Sequence, residues 1–103
     1  MPNLALLISY DATHPDFKPT YVNQVFCEFY KVTYEQMIDQ GHLDSAPVKD
    51  ILTNCIENDL PVLSVEPLTM PHNGMKAIEW VHVPVKDEAG KVIEVMGIGT
   101  PLC

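Results

Sequence analysis

Five segments of the chain have the composition and spacing of β-strands. Residues 4–10 form an apolar run of strand length, and residues 20–22 follow a polar loop as a second, shorter strand. A central region with a different period follows. Three more strands are predicted after it, at residues 62–70, 75–85 and 92–100, because turn residues separate these β-branched runs. The last three strands therefore predict a meander.

The central region has helical periodicity instead. One apolar face is spaced as in a first helix and contains Val22, Val25, Phe26, Phe29 and Tyr30. Thr33 with Gln36 predicts a capping box for a second helix, with Gly41 as its stop. A third and longest helix is predicted from a cap at Asp44 or Ser45 to just before Pro61.

Turn residues refine the arrangement of the strands. Pro67 cannot donate to a sheet ladder, so its strand is predicted at an edge. Asn73-Gly74 predicts the hairpin that joins this strand to the next. The order β-β-α-α-α-β-β-β predicts an α+β fold, a five-stranded antiparallel sheet with short helices covering one face.

Composition narrows the classes of partner. The net charge is −8, and all six basic residues are lysines, with no arginine. This argues against nucleic acid and favours a neutral or apolar ligand. No run is long enough to cross a membrane, and the start lacks a basic signal-peptide region. Three cysteines without a CxxC pair favour the cytoplasm and argue against a zinc site.

Two motifs, together with the element order, resemble the PAS sensory domain. The first is "PTYVNQVFCEFYKVTYEQMIDQG", and its matching positions are Tyr21, Asn23, Phe26, Tyr30, Thr33, Glu35 and Gly41. The second is "EWVHVPVKDEAGKVIEVMGIG", and its matching positions are Pro84, Asp87, Gly90, Val92 and Gly97. The chain departs from the family in the loop 11–19 and at its C-terminal "GTPLC".

The resemblance implies a single PAS-like sensory domain over residues 1–103. Such domains act as sensor and dimerisation modules in kinases of two-component systems, in cyclases, in chemoreceptors and in transcription regulators. They hold haem, flavin, a small metabolite or nothing between helices and sheet. We therefore expect a cytoplasmic module of a bacterial signalling or transcription-regulatory protein that binds a small apolar or weakly polar ligand.

The cofactor is left open by the residues themselves. Light-sensing members carry a reactive cysteine in "GxNCRFLQ", where this chain has "DQGHLDSAP", and a flavin-contacting glutamine about where this chain has Gly99. These differences argue against flavin. Haem needs an axial imidazole, for which His42 and His82 are the alternatives, because His14 and His72 fall in polar loops. The usual haem histidine of the family lies on the long helix, where this chain has none between residues 45 and 60.

The predicted ligand site lies between the helices and the sheet. By analogy with the family, Ile78, Trp80 and His82 share the strand face that points towards the helices. We expect the ligand to be contacted by Phe26, Tyr30, His42, Trp80, His82, Gly97 and Gly99. The two glycines either leave space for a cavity or only allow close backbone approach. For His82, a hydrogen-bonded core histidine is the commoner alternative, and for His42 a surface or capping one.

The opposite sheet face is predicted to be apolar as well. Its members are Val81, Val83, Val85, Met96 and Ile98. An apolar face of this size suggests a partner surface, and homodimerisation is the prediction because a flanking helix is not evident. A small α+β enzyme is a further alternative. It has weak support, since Glu79 and His82 lie on opposite strand faces and no nucleophile, phosphate-loop or metal-ligand motif is found.

Overall fold

The computed structural model describes residues 5–39, 46–72 and 75–102, with the backbone alone for 69–72 and 75. Its elements are β1 (Leu6–Asp11), β2 (Pro19–Val22), α1 (Gln24–Tyr30), α2 (Tyr34–Ile38), α3 (Ala46–Asn58), β3 (Val62–His72), β4 (Met75–Lys86) and β5 (Val92–Leu102). The predicted element order is confirmed. The strands β3 and β5 each extend two residues further than their patterns indicated.

All five strands form one antiparallel sheet in the order β2-β1-β5-β4-β3. Pro67 lies on the edge strand β3, as its missing N–H predicts. The predicted turn Asn73-Gly74, the stop at Gly41 and the cap of α3 at Asp44 or Ser45 lie outside the described residues.

Asn23 explains why α1 begins where it does. Its Oδ1 accepts hydrogen bonds from the backbone N–H of Phe26 at 2.9 Å and of Leu7 at 3.1 Å. Its Nδ2 donates to the carbonyl of Ala5 at 2.9 Å. The first bond caps the helix, and the other two attach the helix start to the chain at β1. One side chain therefore sets the position of α1 relative to the sheet.

The other helix ends also follow local rules. The capping box of Thr33 and Gln36 is present at α2, as predicted. Lys31 ends α1 in the left-handed conformation, with φ of 57°, and its N–H donates to the carbonyl of Cys27. Within the described ranges, no helix is long and apolar enough to span a membrane.

The hydrophobic core lies between the helices and one face of the sheet. Its buried members are Leu6, Ile8, Tyr10, Val22, Phe26, Leu52, Cys55, Ile78, Trp80 and Val95. Leu52 and Cys55 bring the apolar stripe of α3 onto the sheet, where the Cys55 thiol lies 3.6 Å from the carbonyl of His82. Ile78, Trp80 and His82 share a face, as the alternation of β4 predicted, and they are buried on the helix side, as the family resemblance implied.

Candidate ligand-binding cavity

A cavity of about 470 Å³ opens between α1, α3 and the strands β3 and β4. It is lined by Tyr10, Phe26, Tyr30, Pro47, Val48, Ile51, Ser64, Val65, Glu66, Pro67, Trp80 and His82. Small-molecule sites typically enclose about 300–1,000 Å³ and are mostly apolar with a few polar groups. The size and the walls of this cavity match that description.

The wall on the α1 side is aromatic. The rings of Phe26 and Tyr30 lie 4.6 Å apart between centroids, and Phe29 packs edge-on against Tyr30 at 5.1 Å. Phe26 and Tyr30 are one helical turn apart, so both project from the same face of α1. The helix start that Asn23 holds against β1 therefore also aims these rings at the sheet.

The floor of the cavity is formed by two rings of β4. Trp80 and His82 stack with centroids 5.9 Å apart and an interplanar angle of 28°. A Cβ atom on Gly99 would lie 2.9 Å from the indole of Trp80, and one on Gly97 would lie 3.3 Å from the His82 ring. The glycines of β5 therefore lie directly under the two rings and let them rest flat on the sheet.

Glu66 connects the aromatic wall of α1 to the floor formed by β4, although the sequence pattern did not single it out. Its Oε1 accepts from the hydroxyl of Tyr30 at 3.1 Å and from the indole Nε1 of Trp80 at 2.9 Å. Burial, and then the negative charge of Glu66, raise the pKa values of the Tyr10 and Tyr30 hydroxyls. The alternation Ser64, Glu66 on β3 is the one signal that could have placed this carboxylate on the inner face.

His82, on the floor of the cavity, is neutral. Burial lowers the pKa of its imidazole below the ordinary value of 6.5, so the ring is uncharged at pH 7. Its Nδ1 is buried and has no hydrogen-bond partner among the described residues. The second ring nitrogen, Nε2, is the other possible iron ligand, so the haem alternative at His82 stays a prediction.

The other predicted ligand contacts are placed as follows. Phe26, Tyr30, Trp80 and His82 line the cavity together, whereas Gly97 and Gly99 lie behind the rings and are not among its lining residues. His42 lies outside the described residues.

The candidates left aside by the sequence analysis are also placed. His14 is exposed in its loop and accepts a hydrogen bond from the N–H of Asp16. The loop position predicted for His72 is wrong, because β3 continues to this residue, which pairs with Met75; only its backbone is described. No cluster of three metal-ligating side chains occurs in the part of the chain that the structure describes.

The predicted partner surface lies on the other face of the sheet. Val81 pairs with Ile98 and Val83 pairs with Met96 in register, so the four side chains form two adjacent rows. These four are half-buried, and Val85 is exposed. Leu63 pairs with Val81, and with 71% of its surface exposed it extends the first row to the edge of the sheet. We call this set of six residues the outer face.

The architecture and the cavity define a class, an α+β domain with a ligand-sized space between helices and sheet. The family model described as "PAS fold" matches residues 8–102, which is nearly the whole chain. The chain belongs to the PAS-fold family, as the two sequence motifs predicted. No curated protein sequence matches the chain.

Solved structures of the same fold agree with this assignment. The chain is similar to a sensory box sensor histidine kinase from Vibrio cholerae, with 14% identity and a TM-score of 0.75 over 97% of this chain and 83% of that chain. It is also similar to the light state of the blue-light photoreceptor Aureochrome1 LOV, with 14% identity and a TM-score of 0.70. That match covers 95% of this chain and 81% of the photoreceptor chain. The chain is similar as well to the light-state dimer of the fungal blue-light photoreceptor Vivid, with 16% identity and a TM-score of 0.66. That match covers 92% of this chain and 76% of the Vivid chain. At these identities the likeness concerns the fold.

Proposed function

We propose that this PAS domain is the sensory module of a bacterial signal-transduction or transcription-regulatory protein, and that it binds a small ligand in the cavity between α1, α3 and the sheet. The cavity itself carries the proposal. Its volume suits a small molecule, and its walls combine aromatic rings with few polar groups. The likeness of the fold to a sensor histidine kinase domain supports a signalling role. The module acts by binding and needs no catalysis of its own.

Ligand binding can be tested at the single tryptophan. Trp80 lies on the cavity floor and is the only tryptophan, so its indole N–H gives one isolated NMR signal. The purified protein is first examined by native mass spectrometry for retained small molecules. It is then titrated with a library of small neutral and charged metabolites while this signal is followed. We expect retained mass or at least one compound that shifts the indole signal saturably.

Two matched variants locate the binding. Ser64 lies opposite Trp80 in the register and lines the cavity, so Ser64→Phe places a ring inside it. Leu63→Phe adds a ring on the opposite side of the same strand. Binding that is lost in Ser64→Phe and kept in Leu63→Phe supports the proposal. It is refuted if no compound shifts the indole and no mass is retained, or if Ser64→Phe binds as the wild type does.

We also propose that the module forms a homodimer through the outer face. Its paired rows of aliphatic side chains run across adjacent strands and include Leu63, which is largely exposed. The light-state dimer of Vivid has the same fold and supports dimerisation as an available mode of assembly. A stable dimer needs about 800 Å² buried per partner. An apolar sheet face is the part of this molecule best suited to provide that area.

Light scattering coupled to gel filtration tests the dimer. Leu63→Lys places a charge on the outer face and is expected to weaken association at least tenfold. Leu60→Lys makes the same change at another largely exposed leucine, outside the sheet, and is expected to leave association unchanged. A monomeric wild type at high concentration, or equal association in both variants, would contradict this proposal.

We place the module in the cytoplasm. Cys27 and Cys55 are both free thiols, and Cys55 is fully buried as a small apolar side chain. A reducing compartment suits such thiols. Localisation of a fluorescent fusion in intact cells tests this placement.

A further inference from the structure

Among the described residues, the cavity has a single source of formal charge. Of the side chains that line it, only the carboxylate of Glu66 is charged at pH 7, because burial keeps His82 neutral. None of the six lysines is among its lining residues, and the chain contains no arginine. Within the part of the chain that the structure describes, the ligand therefore meets a negative group and no positive one. An anionic ligand would enter this space without a counter-charge.

Two aromatic donors of the cavity are already engaged. The hydroxyl of Tyr30 and the Nε1 of Trp80 both donate to the same oxygen of Glu66. These two bonds hold the carboxylate in place against the side-chain freedom of a glutamate on an edge strand. They also leave neither donor for a ligand acceptor. The second carboxylate oxygen has no bonded partner among the described residues and is available to a ligand donor.

The remaining walls favour a positive charge as well. Four aromatic residues line the cavity together with Glu66, namely Tyr10, Phe26, Tyr30 and Trp80. The face of an aromatic ring carries partial negative charge and attracts ammonium groups within about 6 Å. Aromatic walls combined with one carboxylate are the arrangement that recognises organic cations. A purely neutral ligand would use the rings but would leave the negative charge of the exposed Glu66 side chain without a counter-charge.

We propose that the cavity takes a small organic cation, with its ammonium group beside the second oxygen of the Glu66 carboxylate and its apolar body against Phe26. This inference rests on the proposed function, because it names the class of ligand for the same cavity. The net charge of −8 also raises the local concentration of cations around the protein.

Matched pairs of probes isolate the charge. Choline is compared with its neutral carbon isostere dimethylbutanol, and phenethylammonium is compared with phenylethanol. Each pair has nearly the same shape and differs in charge. Affinity is measured at pH 7 by NMR titration of the Trp80 indole signal, at low and at high salt. We expect the cation of at least one pair to bind about tenfold more tightly than its neutral partner at low salt, and this advantage to shrink at high salt.

Two glutamate variants assign the effect to its residue. Glu66→Gln removes the charge and keeps an oxygen that can accept from Tyr30 and Trp80, so the cavity retains its shape. Glu79→Gln removes the same charge from an exposed position on the opposite face of the sheet, one residue before Trp80. We expect Glu66→Gln to weaken cation binding about tenfold and to leave the neutral probes unchanged. Glu79→Gln should bind both kinds of probe as the wild type does.

The outcomes separate this inference from the function on which it rests. If the neutral probes bind as tightly as the cations, or if the cations bind equally well to Glu66→Gln, the cation inference is wrong and the ligand cavity stands. If neither cation binds while other library compounds shift the indole signal, the cation inference is again wrong. If no compound of any charge binds, both fail together.

Discussion

Replacing Gly99 by alanine tests how closely the sheet packs beneath Trp80. An added Cβ would lie 2.9 Å from two atoms of the indole and 3.0 Å from a methyl group of Ile78. Carbon atoms in contact prefer about 3.5–4.0 Å, so the ring must move by roughly half an ångström. It cannot do so freely, because its Nε1 is bonded to Glu66 and its face stacks on His82.

The expected cost follows from these contacts. Overpacking a core position costs about 1–3 kcal/mol. Replacing glycine by alanine at a permitted conformation also lowers the entropy of the unfolded chain, which stabilises the folded state by about 0.4–1 kcal/mol. The balance of the two middle values is a loss of about 1.3 kcal/mol in the free energy of unfolding. For a domain of this size, each kcal/mol lowers the Tm by about 4–8 °C.

The assay is urea unfolding followed by the fluorescence of Trp80, which reports both stability and the surroundings of the ring. We expect Gly99→Ala to lower the midpoint and to shift the emission of the folded state. Gly90→Ala is the matched control, because Gly90 has φ of 85° and nothing lies within 4 Å of the added Cβ. It should lose about 1 kcal/mol from backbone strain alone and keep the emission of the wild type. A Gly99→Ala protein as stable as the wild type, or with unchanged emission, would refute the packing argument.

Three further predictions concern the helix ends and His82. Asn23→Ala removes the cap at Phe26 and the bonds to β1, and we expect urea unfolding to show a loss of about 2–3 kcal/mol. Lys31→Gly relieves a left-handed residue at the end of α1 and should stabilise by about 0.5–1 kcal/mol in the same assay. Because the pKa of His82 is lowered in the folded protein, the unfolded state takes up a proton more readily. The contribution of the neutral imidazole to stability is therefore complete above pH 6.5, and it is lost as the pH falls from this value towards the folded-state pKa. The unfolding free energy of His82→Phe, measured from pH 7.5 to about 5.5, should therefore fall less than that of the wild type.

Each of these predictions has an outcome that contradicts it. Gln24→Ala changes an exposed neighbour of Asn23, and equal losses in both variants would show that the bridging bonds contribute little. If Lys31→Gly and Lys31→Ala have the same stability, strain at this position is not significant. Parallel pH profiles for the wild type and His82→Phe would mean that the buried imidazole does not contribute to the pH dependence.

Local sequence signals predicted most of the fold. Residues four or fewer positions apart set the helical face of α1 and the capping box of Thr33. The alternation along β4 placed Trp80 and His82 on one common face, and the missing N–H of Pro67 placed β3 at an edge. These features depend on backbone geometry within one element, so a single sequence is sufficient to predict them.

The candidate site depended on contacts that no local pattern contains. Glu66 is 36 residues from Tyr30 and 14 from Trp80, and it meets them only through the register of β3 with β4 and the approach of α1. Likewise, the pattern of Gly97 and Gly99 was compatible with either a cavity or a close approach of the chain. The structure shows the close approach, because the rings of Trp80 and His82 lie on these glycines. The sequence by itself determined which elements form and which faces are apolar, because those follow from short-range periodicity. Only the tertiary structure decided that one carboxylate lies among aromatic rings at the edge of a cavity, because that arrangement arises from the packing of distant segments.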